Sequence, residues 1–397
     1  MNEKNQKKIL VIHTKYQFFG GEDSVVAQEV ELLKTHYKVE TIFFQNQSGL
    51  LGAIQFLFSI WNIWSSVLVK KKLKQFQPDI VHVHNWHFAS GPLIFRTINK
   101  LKVPVILTLH NYRLLCPSAT LLNKRKLFLQ SLNQNFPFKA IQQQVYRNSW
   151  VQTFWLAFVV WFHNKIGTWQ IINKYICLTQ NSINLFKNSK LDIPNKSFII
   201  KPNFTLRDNI TKNTETEKNS FLFIGRLSEE KGINVLLESF YKLPYKLKIV
   251  GEGPLKSKVV QAVKHNSNIE YLGTLNKKNI NLELQKTEAL IFPSIWNETF
   301  GMVIIEAFSN KCAVISSNIG APLSIIKNNK NGIHFKYGNS DDLIRIIHKW
   351  MKLSLNEKDK IRNNAYDSYE KLYSKQRQKQ YFRLIINNIL KDNTQLT

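Results

Sequence analysis

The stretch Phe292-Pro-Ser-Ile-Trp-Asn-Glu-Thr-Phe-Gly-Met-Val-Ile-Ile-Glu306 carries the strongest fold signal in the chain. At its start, Ala289–Phe292 is apolar and is closed by a proline, which predicts a short buried strand. Thr299 is a candidate N-cap, and Met302–Phe308 repeats apolar residues at helical spacing. Because the mouth of a helix offers unpaired N–H groups and a partial positive charge, this pattern predicts a phosphate-binding loop.

Two glutamates lie beside this predicted loop. Glu298 falls in the turn, and Glu306 is expected about two turns into the helix. From there both can accept hydrogen bonds from the hydroxyl groups of a sugar or a ribose. Taken alone, Glu306 is better explained as a solvated carboxylate on a helix surface, so its role depends on companion motifs.

The spacing of the two glutamates resembles a known family. Seven residues separate them, Pro-Ser precedes the first, and Phe-Gly lies between them. The segment resembles the E-x7-E motif of retaining GT-B glycosyltransferases of family 4. This resemblance implies that Glu298 binds the hydroxyls of the transferred sugar and that Glu306 holds the ribose of the nucleotide. It also implies that the donor is contacted by the intervening residues Thr299, Phe300, Gly301 and Met302, with N–H groups assisting at the diphosphate.

The composition indicates a globular protein of two or three domains. The chain has 397 residues, 44% of them hydrophobic, with nine Trp and 26 Phe. Its three cysteines are scattered, which favours a reducing compartment and argues against disulfides or a structural zinc site. The first apolar run is only four residues long, so no signal peptide is expected, and we predict a cytoplasmic protein.

The net charge of +28 predicts anionic partners. Residues 1–200 contain 24 Lys and Arg against 8 Asp and Glu. Phospholipid, nucleic acid and phosphorylated substrates all fit such a charge, as does a simple bias toward Lys and Asn. The basic residues form no arginine-rich run and no known nucleic-acid module, so nucleic acid is not expected as a partner.

A glycine pair follows the first predicted strand. Lys8–His13 is the strand, Phe18–Ser24 the turn, and a helix is expected from about Ser24 to Lys34. Gly20 and Gly21 would let backbone N–H groups approach a phosphate, although they also suit an ordinary turn. The pair resembles the Gly-Gly loop with which family-4 enzymes meet the donor diphosphate and the acceptor.

A histidine loop follows the predicted strand Val103–Leu109. It reads His110-Asn-Tyr-Arg113, and polar residues at the carboxyl ends of parallel strands are typical of ligand sites. The loop resembles the histidine loop of family-4 enzymes, which implies that His110 contacts the donor sugar over the reacting centre and helps shape the acceptor site. Relatives often carry a cysteine pair just downstream, and Leu121–Leu132 contains none.

Two aromatic-rich segments stand out in the N-terminal half. Leu50–Val69, followed by the basic run Lys70–Lys74, predicts one amphipathic helix. It either lies on an anionic membrane or packs its aromatic face into the domain. Ile141–Trp169 predicts helices that cover the edge of the domain, because its apolar core is too short to span a bilayer.

The second half begins with the predicted strand Phe221–Ile224 and the loop Gly225-Arg-Leu-Ser-Glu-Glu-Lys-Gly232. This loop resembles the G-R-L-x-x-x-K-G loop of family 4, which implies that Arg226 and Lys231 bind the donor diphosphate. Two cations at a helix mouth can stabilise the charge of a departing nucleoside diphosphate. The sequence has no D-x-D motif, so we expect no metal and no cofactor.

Periodicity and spacing predict two α/β halves, and the family resemblance implies the GT-B class, with two Rossmann-like domains facing across a cleft. The expected segments are an acceptor domain, a linker, a nucleotide-sugar domain and a C-terminal helix, over about Lys371–Leu390, that crosses back to the first domain. Their boundaries are 1–202, 203–219, 220–372 and 373–397.

The resemblance implies a retaining, metal-independent glycosyltransferase of cell-surface polysaccharide synthesis. The expected partners are a nucleotide-sugar, a glycan or polyprenyl-diphosphate-linked acceptor, and an anionic membrane surface on the cytoplasmic side. Two alternatives are kept: another GT-B enzyme, such as a phosphorylase or a nucleotide-sugar epimerase, and a non-catalytic basic binding protein.

Overall fold

The computed structural model describes residues 6–16, 20–124, 126–207, 217 and 219–394. Its chain divides into two compact units. The first unit comprises Met1–Leu121, Phe128–Pro202 and Gln378–Thr397, and the second unit comprises Leu122–Leu127 and Asn203–Arg377. The end of the chain therefore groups with the first unit.

A parallel sheet of six strands forms the centre of the first unit, in the order β2-β1-β3-β4-β7-β8. A short antiparallel pair, β5 and β6, lies between β4 and β7 in the sequence. Strands β3 and β4 are buried along their whole length, because both faces of a parallel sheet are covered. The strands of the six-stranded sheet are β1 (Lys8–Lys15), β2 (Lys38–Gln45), β3 (Ile80–Asn85), β4 (Val105–Leu109), β7 (Lys174–Cys177) and β8 (Phe198–Ile200). The short pair, β5 (Leu122–Asn123) and β6 (Lys126–Leu127), groups with the second unit.

Seven helices of this half accompany the sheet in the part of the chain that the structure describes. They are α1 (Gly21–Lys34), α2 (Gly49–Phe58), α3 (Ile63–Phe76), α4 (Leu93–Lys100), α5 (Phe138–Gln142), α6 (Trp150–Lys165) and α7 (Gln180–Lys187). Helix α1 begins at Gly21, three residues before the predicted start at Ser24, because Gly20 is its N-cap and the Asp23 carboxylate accepts the Gly20 N–H.

The prediction of a single helix over Leu50–Val69 is wrong. Helices α2 and α3 are separated by a bend of 76°. Asn62 starts α3 because its side chain accepts the N–H of Ser65. Every residue of α2 is at least partly exposed, whereas α3 buries Val69 and Leu73 in the core. Among the described helices none is long and apolar enough to span a bilayer alone, while this bent pair meets both criteria together by length and composition.

The second unit is built on another parallel six-stranded sheet, in the order β11-β10-β9-β12-β13-β14. This is the usual order of a doubly wound nucleotide-binding sheet. Its strands are β9 (Ser220–Ile224), β10 (Lys246–Val250), β11 (Ile269–Gly273), β12 (Ala289–Phe292), β13 (Ala313–Ser317) and β14 (Ile333–Phe335). The helices are α8 (Ile233–Phe240), α9 (Lys256–His265), α10 (Lys277–Lys286), α11 (Met302–Ser309), α12 (Pro322–Ile325), α13 (Ser340–Lys352) and α14 (Leu355–Leu372), and α15 (Lys375–Thr394) ends the chain.

The last helix and the predicted linker differ in part from the sequence predictions. The last helix begins at Lys375, not near Lys371, because Ser374 caps it by accepting the N–H of Arg377. In the predicted linker Phe204 is buried. Residues 208–216 and 218 of that linker lie outside the described residues, as do Phe18 and Phe19 of the glycine loop.

Candidate active site

The order of the second sheet places a ligand site at the carboxyl ends of β9 and β12, where the strand order reverses. The loops that follow these two strands are the two predicted motifs, Gly225–Gly232 and Pro293–Gly301. A backbone hydrogen bond of 2.9 Å from the Ile295 N–H to the Glu230 carbonyl joins them. The sheet topology therefore brings together segments that are far apart in the sequence.

Lys231 and Glu298 meet at this point. The Lys231 ammonium lies 2.5 Å from Oε1 of Glu298, and the Ser294 hydroxyl donates to the same oxygen at 2.7 Å. Lys231 also stands 5.5 Å from the centre of the Trp296 ring, whose buried Nε1 has no hydrogen-bond partner among the described residues. Sequence reasoning missed Ser294 and Trp296, although both lie within the quoted stretch.

Two glycines make this close approach possible. Gly232 has φ +75°, and a Cβ there would lie 1.9 Å from the Pro293 carbonyl oxygen. Gly320 has φ +68°, and a Cβ there would lie 2.6 Å from the backbone nitrogen of Glu298. Because any side chain would be strained and would collide with backbone, glycine is required at both positions. The backbone of Glu298 is also held by a bond from the Ala321 N–H to its carbonyl, 2.9 Å long.

Arg226 is the exposed cation of the same loop. Within the described part of the chain, its guanidinium has no salt bridge or hydrogen bond, while Leu227, the next residue, is buried and anchored by its N–H to the Glu252 carbonyl. A fixed loop with a free guanidinium can take an anion without first breaking an internal ion pair.

The helix mouth differs from the prediction. Gly301, with φ +94°, is the N-cap of α11, so the assignment of Thr299 as the N-cap is wrong. The reason is that the residue before α11 has a left-handed backbone conformation, which only glycine adopts at low cost. Consequently Glu306 is the fifth residue of α11, little more than one turn from its start. The N–H groups of Phe300, Gly301 and Met302 have no backbone acceptor among the described residues.

Glu306 is partly exposed, and its carboxylate has no hydrogen-bond partner in the described structure. Burial raises its pKa, and the positive charge of Lys277 opposes that effect. A carboxyl group with free acceptor capacity on the first helix after the phosphate loop can bind the hydroxyls of a ribose.

In the first unit, His110 follows β4 and contacts a second histidine. Its Nε2 lies 3.0 Å from Nδ1 of His84, and the two rings are stacked. Burial lowers the pKa of His110 to about 3, and the charges of His13 and Lys201 act in the same direction. The imidazole is therefore neutral at physiological pH and offers a hydrogen bond without adding charge.

A buried ion pair lies beneath these histidines. The Lys201 ammonium, fully buried, lies 2.9 Å from Glu29. His82 and His84 lie 3.4 and 3.5 Å from the other oxygen of Glu29. Potential metal-ligand atoms of Glu29, His82 and His84 lie within 4.8 Å of one another, but the ammonium already supplies the positive charge that this carboxylate needs. The alternation His82-x-His84 at a strand end was the sequence signal for this group.

The glycine loop of the first unit has room around it. A Cβ on Gly21 would meet no described atom within 4 Å, and one on Gly20 only Oδ2 of Asp23 at 3.9 Å. Asp23 in turn contacts Nε2 of His13 at 2.9 Å. Neither glycine is therefore required by packing against the described residues.

Comparison with known families agrees with this arrangement. Residues 207–368 match the family model described as glycosyl transferases group 1, and residues 46–160 match the model glycosyltransferase family 4. The chain belongs to glycosyltransferase family 4. The matched regions include all the second-unit site residues and His110, while Gly20 and Gly21 lie before them.

This family-4 chain resembles glycosyltransferases along most of its length. A glycosyltransferase of Methanocaldococcus jannaschii is 25% identical over 354 residues, or 85% of this chain and 86% of that protein. The O-antigen chain mannosyltransferase C of Escherichia coli is 31% identical over 115 residues, or 28% of this chain and 31% of that protein. HepE of Anabaena, solved with UDP and glucose, superposes with a TM-score of 0.65 at 15% identity, covering 96% of this chain and 100% of HepE. The predicted GT-B fold is confirmed.

Proposed function

We propose that this family-4 glycosyltransferase transfers a sugar from a nucleotide-sugar to a glycan or lipid-linked acceptor, with retention of configuration and without a metal. The observation that carries the proposal is the contact of Lys231 with Glu298 where the second sheet reverses its strand order. The exposed Arg226 and the start of α11 accompany this contact. A nucleotide-sugar needs cations for its diphosphate and carboxylates for its sugar hydroxyls at one site, and this arrangement would supply both.

The charges fit the chemistry of the leaving group. As the bond between the sugar and the diphosphate breaks, negative charge grows on the diphosphate oxygens. Arg226, Lys231 and the N–H groups at the start of α11 would stabilise that charge, and the diphosphate oxygen would accept the proton of the acceptor hydroxyl. Glu306 would bind the ribose, and Glu298 the hydroxyls of the transferred sugar.

The first unit would supply the acceptor side. His110 is neutral and held by His84, so it would donate a hydrogen bond over the reacting centre without repelling the cationic transition state of the sugar. Gly20 and Gly21 would shape the loop between donor and acceptor. The O-antigen mannosyltransferase among the similar proteins supports a role in cell-surface polysaccharide synthesis, and HepE, which binds UDP, supports a nucleotide-sugar donor.

The donor can be identified by nucleotide release from a panel of UDP-, GDP-, dTDP- and ADP-sugars with bacterial glycan and lipid acceptors. We expect release from one donor, lost in Glu298→Ala, with the anomeric configuration of the product retained and activity unchanged by EDTA. A product inverted at the anomeric carbon would contradict the proposed mechanism. Release that requires inorganic phosphate would favour a phosphorylase, and epimerised donor with no acceptor product would favour an epimerase.

The first unit also carries an apolar surface suited to a membrane, and we place the enzyme on the cytoplasmic face of one. Helix α2 exposes Leu50, Leu51 and Leu57, and Trp64 of α3 continues this surface. The next turns of α3 carry Lys70, Lys71 and Lys74, all exposed. The apolar side chains of α2 would contact lipid tails, and the lysines of α3 would contact anionic headgroups.

Binding to vesicles tests this placement. We expect the protein to sediment with phosphatidylglycerol vesicles at low salt and to be released by high salt. Replacing Lys70 and Lys71 with alanine should weaken binding by about 2 kcal/mol, or roughly thirtyfold, because each surface lysine contributes about 1 kcal/mol. Leu50→Ser should also weaken binding, whereas Leu355→Ser, an equally exposed leucine of the second unit, should not. Equal binding to phosphatidylcholine would contradict the electrostatic part.

A further inference from the structure

Arg113, the last residue of the histidine loop, has an unsatisfied guanidinium. Its Nε and Nη1 atoms are buried and have no hydrogen-bond partner among the described residues. Arg113 donates a hydrogen bond to the Tyr16 hydroxyl, and its Cζ stands 6.0 Å from the centre of the Tyr146 ring. Buried guanidinium nitrogens without a hydrogen-bond acceptor are costly, and an anionic ligand would remove that cost.

Arg113 forms no direct salt bridge with an acidic residue in the described structure. Glu22 faces the same Tyr16 hydroxyl, and its buried Oε1 makes no hydrogen bond in the described structure but lies 3.9 Å from Nδ1 of His13. Burial, followed by the charge of Asp23, raises the pKa of Glu22 to about 8, while the Tyr16 hydroxyl and the positive charge of Arg113 act to lower it. From Ile80 to Leu191 the sequence contains no Asp or Glu, so no acidic residue of that segment can pair with Arg113.

Arg113 stands where two pockets of the first unit meet. The inner pocket is lined by His84, Asn85, Trp86, His110, Asn111 and Arg113 itself. The apolar pocket lies on the other side of Arg113, and its walls include Leu114, Leu132, Leu156, Ala157 and Trp161. Arg113 thus lies between a polar space beside His110 and a space under α6 whose walls are more apolar than polar and include Lys190.

The apolar pocket adjoins an exposed aromatic surface. Trp161, in its wall, contacts the ring of Phe136 at 5.8 Å, and Phe136 contacts Phe138 at 4.8 Å and Phe154 at 6.1 Å. Phe138 is 69% exposed and Phe154 40% exposed. These aromatic side chains form a continuous apolar surface from the wall of the pocket to solvent. A hydrocarbon chain can lie along this surface without contacting a carboxylate.

We propose that Arg113 binds the phosphate group of a lipid-linked acceptor and that the apolar pocket holds the first part of its hydrocarbon chain. The inference rests on the proposed function and narrows its acceptor to an isoprenoid phosphate or diphosphate. The phosphate would pair with the free Nε and Nη1 of Arg113, which lies between the apolar pocket and the inner pocket beside His110. Arg113 is thereby a binding residue, and His110 stays at the reacting centre.

Calorimetry of the full-length chain with farnesyl diphosphate and with inorganic pyrophosphate tests both halves of this proposal. We expect farnesyl diphosphate to bind more tightly than pyrophosphate. Arg113→Gln should weaken both by about tenfold to a hundredfold, because charge-assisted hydrogen bonds are lost, and Arg113→Lys should recover part of the affinity. Ala157→Leu, which fills the apolar pocket, should weaken farnesyl diphosphate alone. Arg345→Gln, on α13 of the second unit, is the control and should change neither.

The outcomes separate this inference from the proposed function. Equal affinity for the two ligands would overturn the hydrocarbon part and indicate a soluble phosphate ester. Unchanged affinity in Arg113→Gln, with its thermal unfolding as in the wild type, would overturn the role of Arg113. If sugar is then still transferred from the nucleotide-sugar to another acceptor, the proposed function stands without this inference. Farnesyl diphosphate binding in a protein that binds no nucleotide-sugar would contradict the function instead.

Discussion

Replacing Lys231 with alanine is expected to lower turnover by about 10²- to 10³-fold, the usual effect of removing one preorganised group from a developing negative charge. The ammonium is held at 2.5 Å from Glu298 and beside Trp296 before any ligand binds. Because the ammonium is already in position, no free energy is spent on moving it during the reaction. Removing the ammonium should therefore lower kcat and not only raise KM.

The measurement is turnover at saturating donor, with circular dichroism as a check on folding. Glu298 would keep its bond from Ser294 in this variant, so the loop should stay in place. Lys256→Ala removes a surface ion pair with Glu252 and serves as the control, with turnover close to wild type. Turnover of Lys231→Ala within threefold of the control would contradict the assignment of the diphosphate site, since one lost charge contact is worth about 1.5 to 3 kcal/mol.

Local sequence patterns predicted the strands and the loops that follow them. Ala289–Phe292 is a strand over the predicted residues because buried parallel strands are continuous apolar runs. The meeting of Lys231 with Glu298 was implied only by the family resemblance. Its physical cause is the strand order, which periodicity along the chain does not contain.

Long-range contacts were the part that local patterns could not predict. Glu29 and Lys201 are 172 residues apart and form a buried pair. Each appears in the sequence as an ordinary charged residue, one on a helix and one after a strand. The start of α11 was missed for a related reason: Thr299 has the right chemistry for an N-cap, but Gly301 has the left-handed backbone that the close turn requires.

Lowering the pH from 7.5 to 5 is expected to destabilise the first unit strongly. Six of its histidines have lowered pKa values, with burial as the main cause in each. They are His13, His82, His84, His87, His110 and His163. A histidine whose pKa is lower in the folded state is protonated first in the unfolded state, at about pH 6.5. Its stabilising effect is therefore complete above that pH and is lost as the pH falls toward the folded pKa.

Two carboxyl groups act in the opposite direction. The pKa values of Glu22 and Glu29 are raised by burial, so the folded state binds more protons at these groups below neutral pH. Because six histidines favour protonation of the unfolded state and two glutamates favour protonation of the folded state, the unfolded state binds more protons as the pH falls. Each unbalanced proton changes the free energy of unfolding by about 1.4 kcal/mol per pH unit, so several together are comparable with the stability of an ordinary domain, about 5 to 15 kcal/mol.

His163 gives the sharpest test because it lies away from the proposed catalytic groups. It contacts the Thr168 hydroxyl and the Ile60 carbonyl, and burial lowers its pKa to about 4. Chemical unfolding at pH 7.5, 6 and 5 should show a shallower loss of stability in His163→Gln, by up to about 1.4 kcal/mol per pH unit. The exposed His36, replaced by glutamine, should keep the wild-type slope. Stability that stays level or rises as the pH falls would mean that these histidines are protonated in the folded state as readily as in the unfolded state. His110 would then be protonated too, which would contradict the neutral imidazole proposed above the reacting centre.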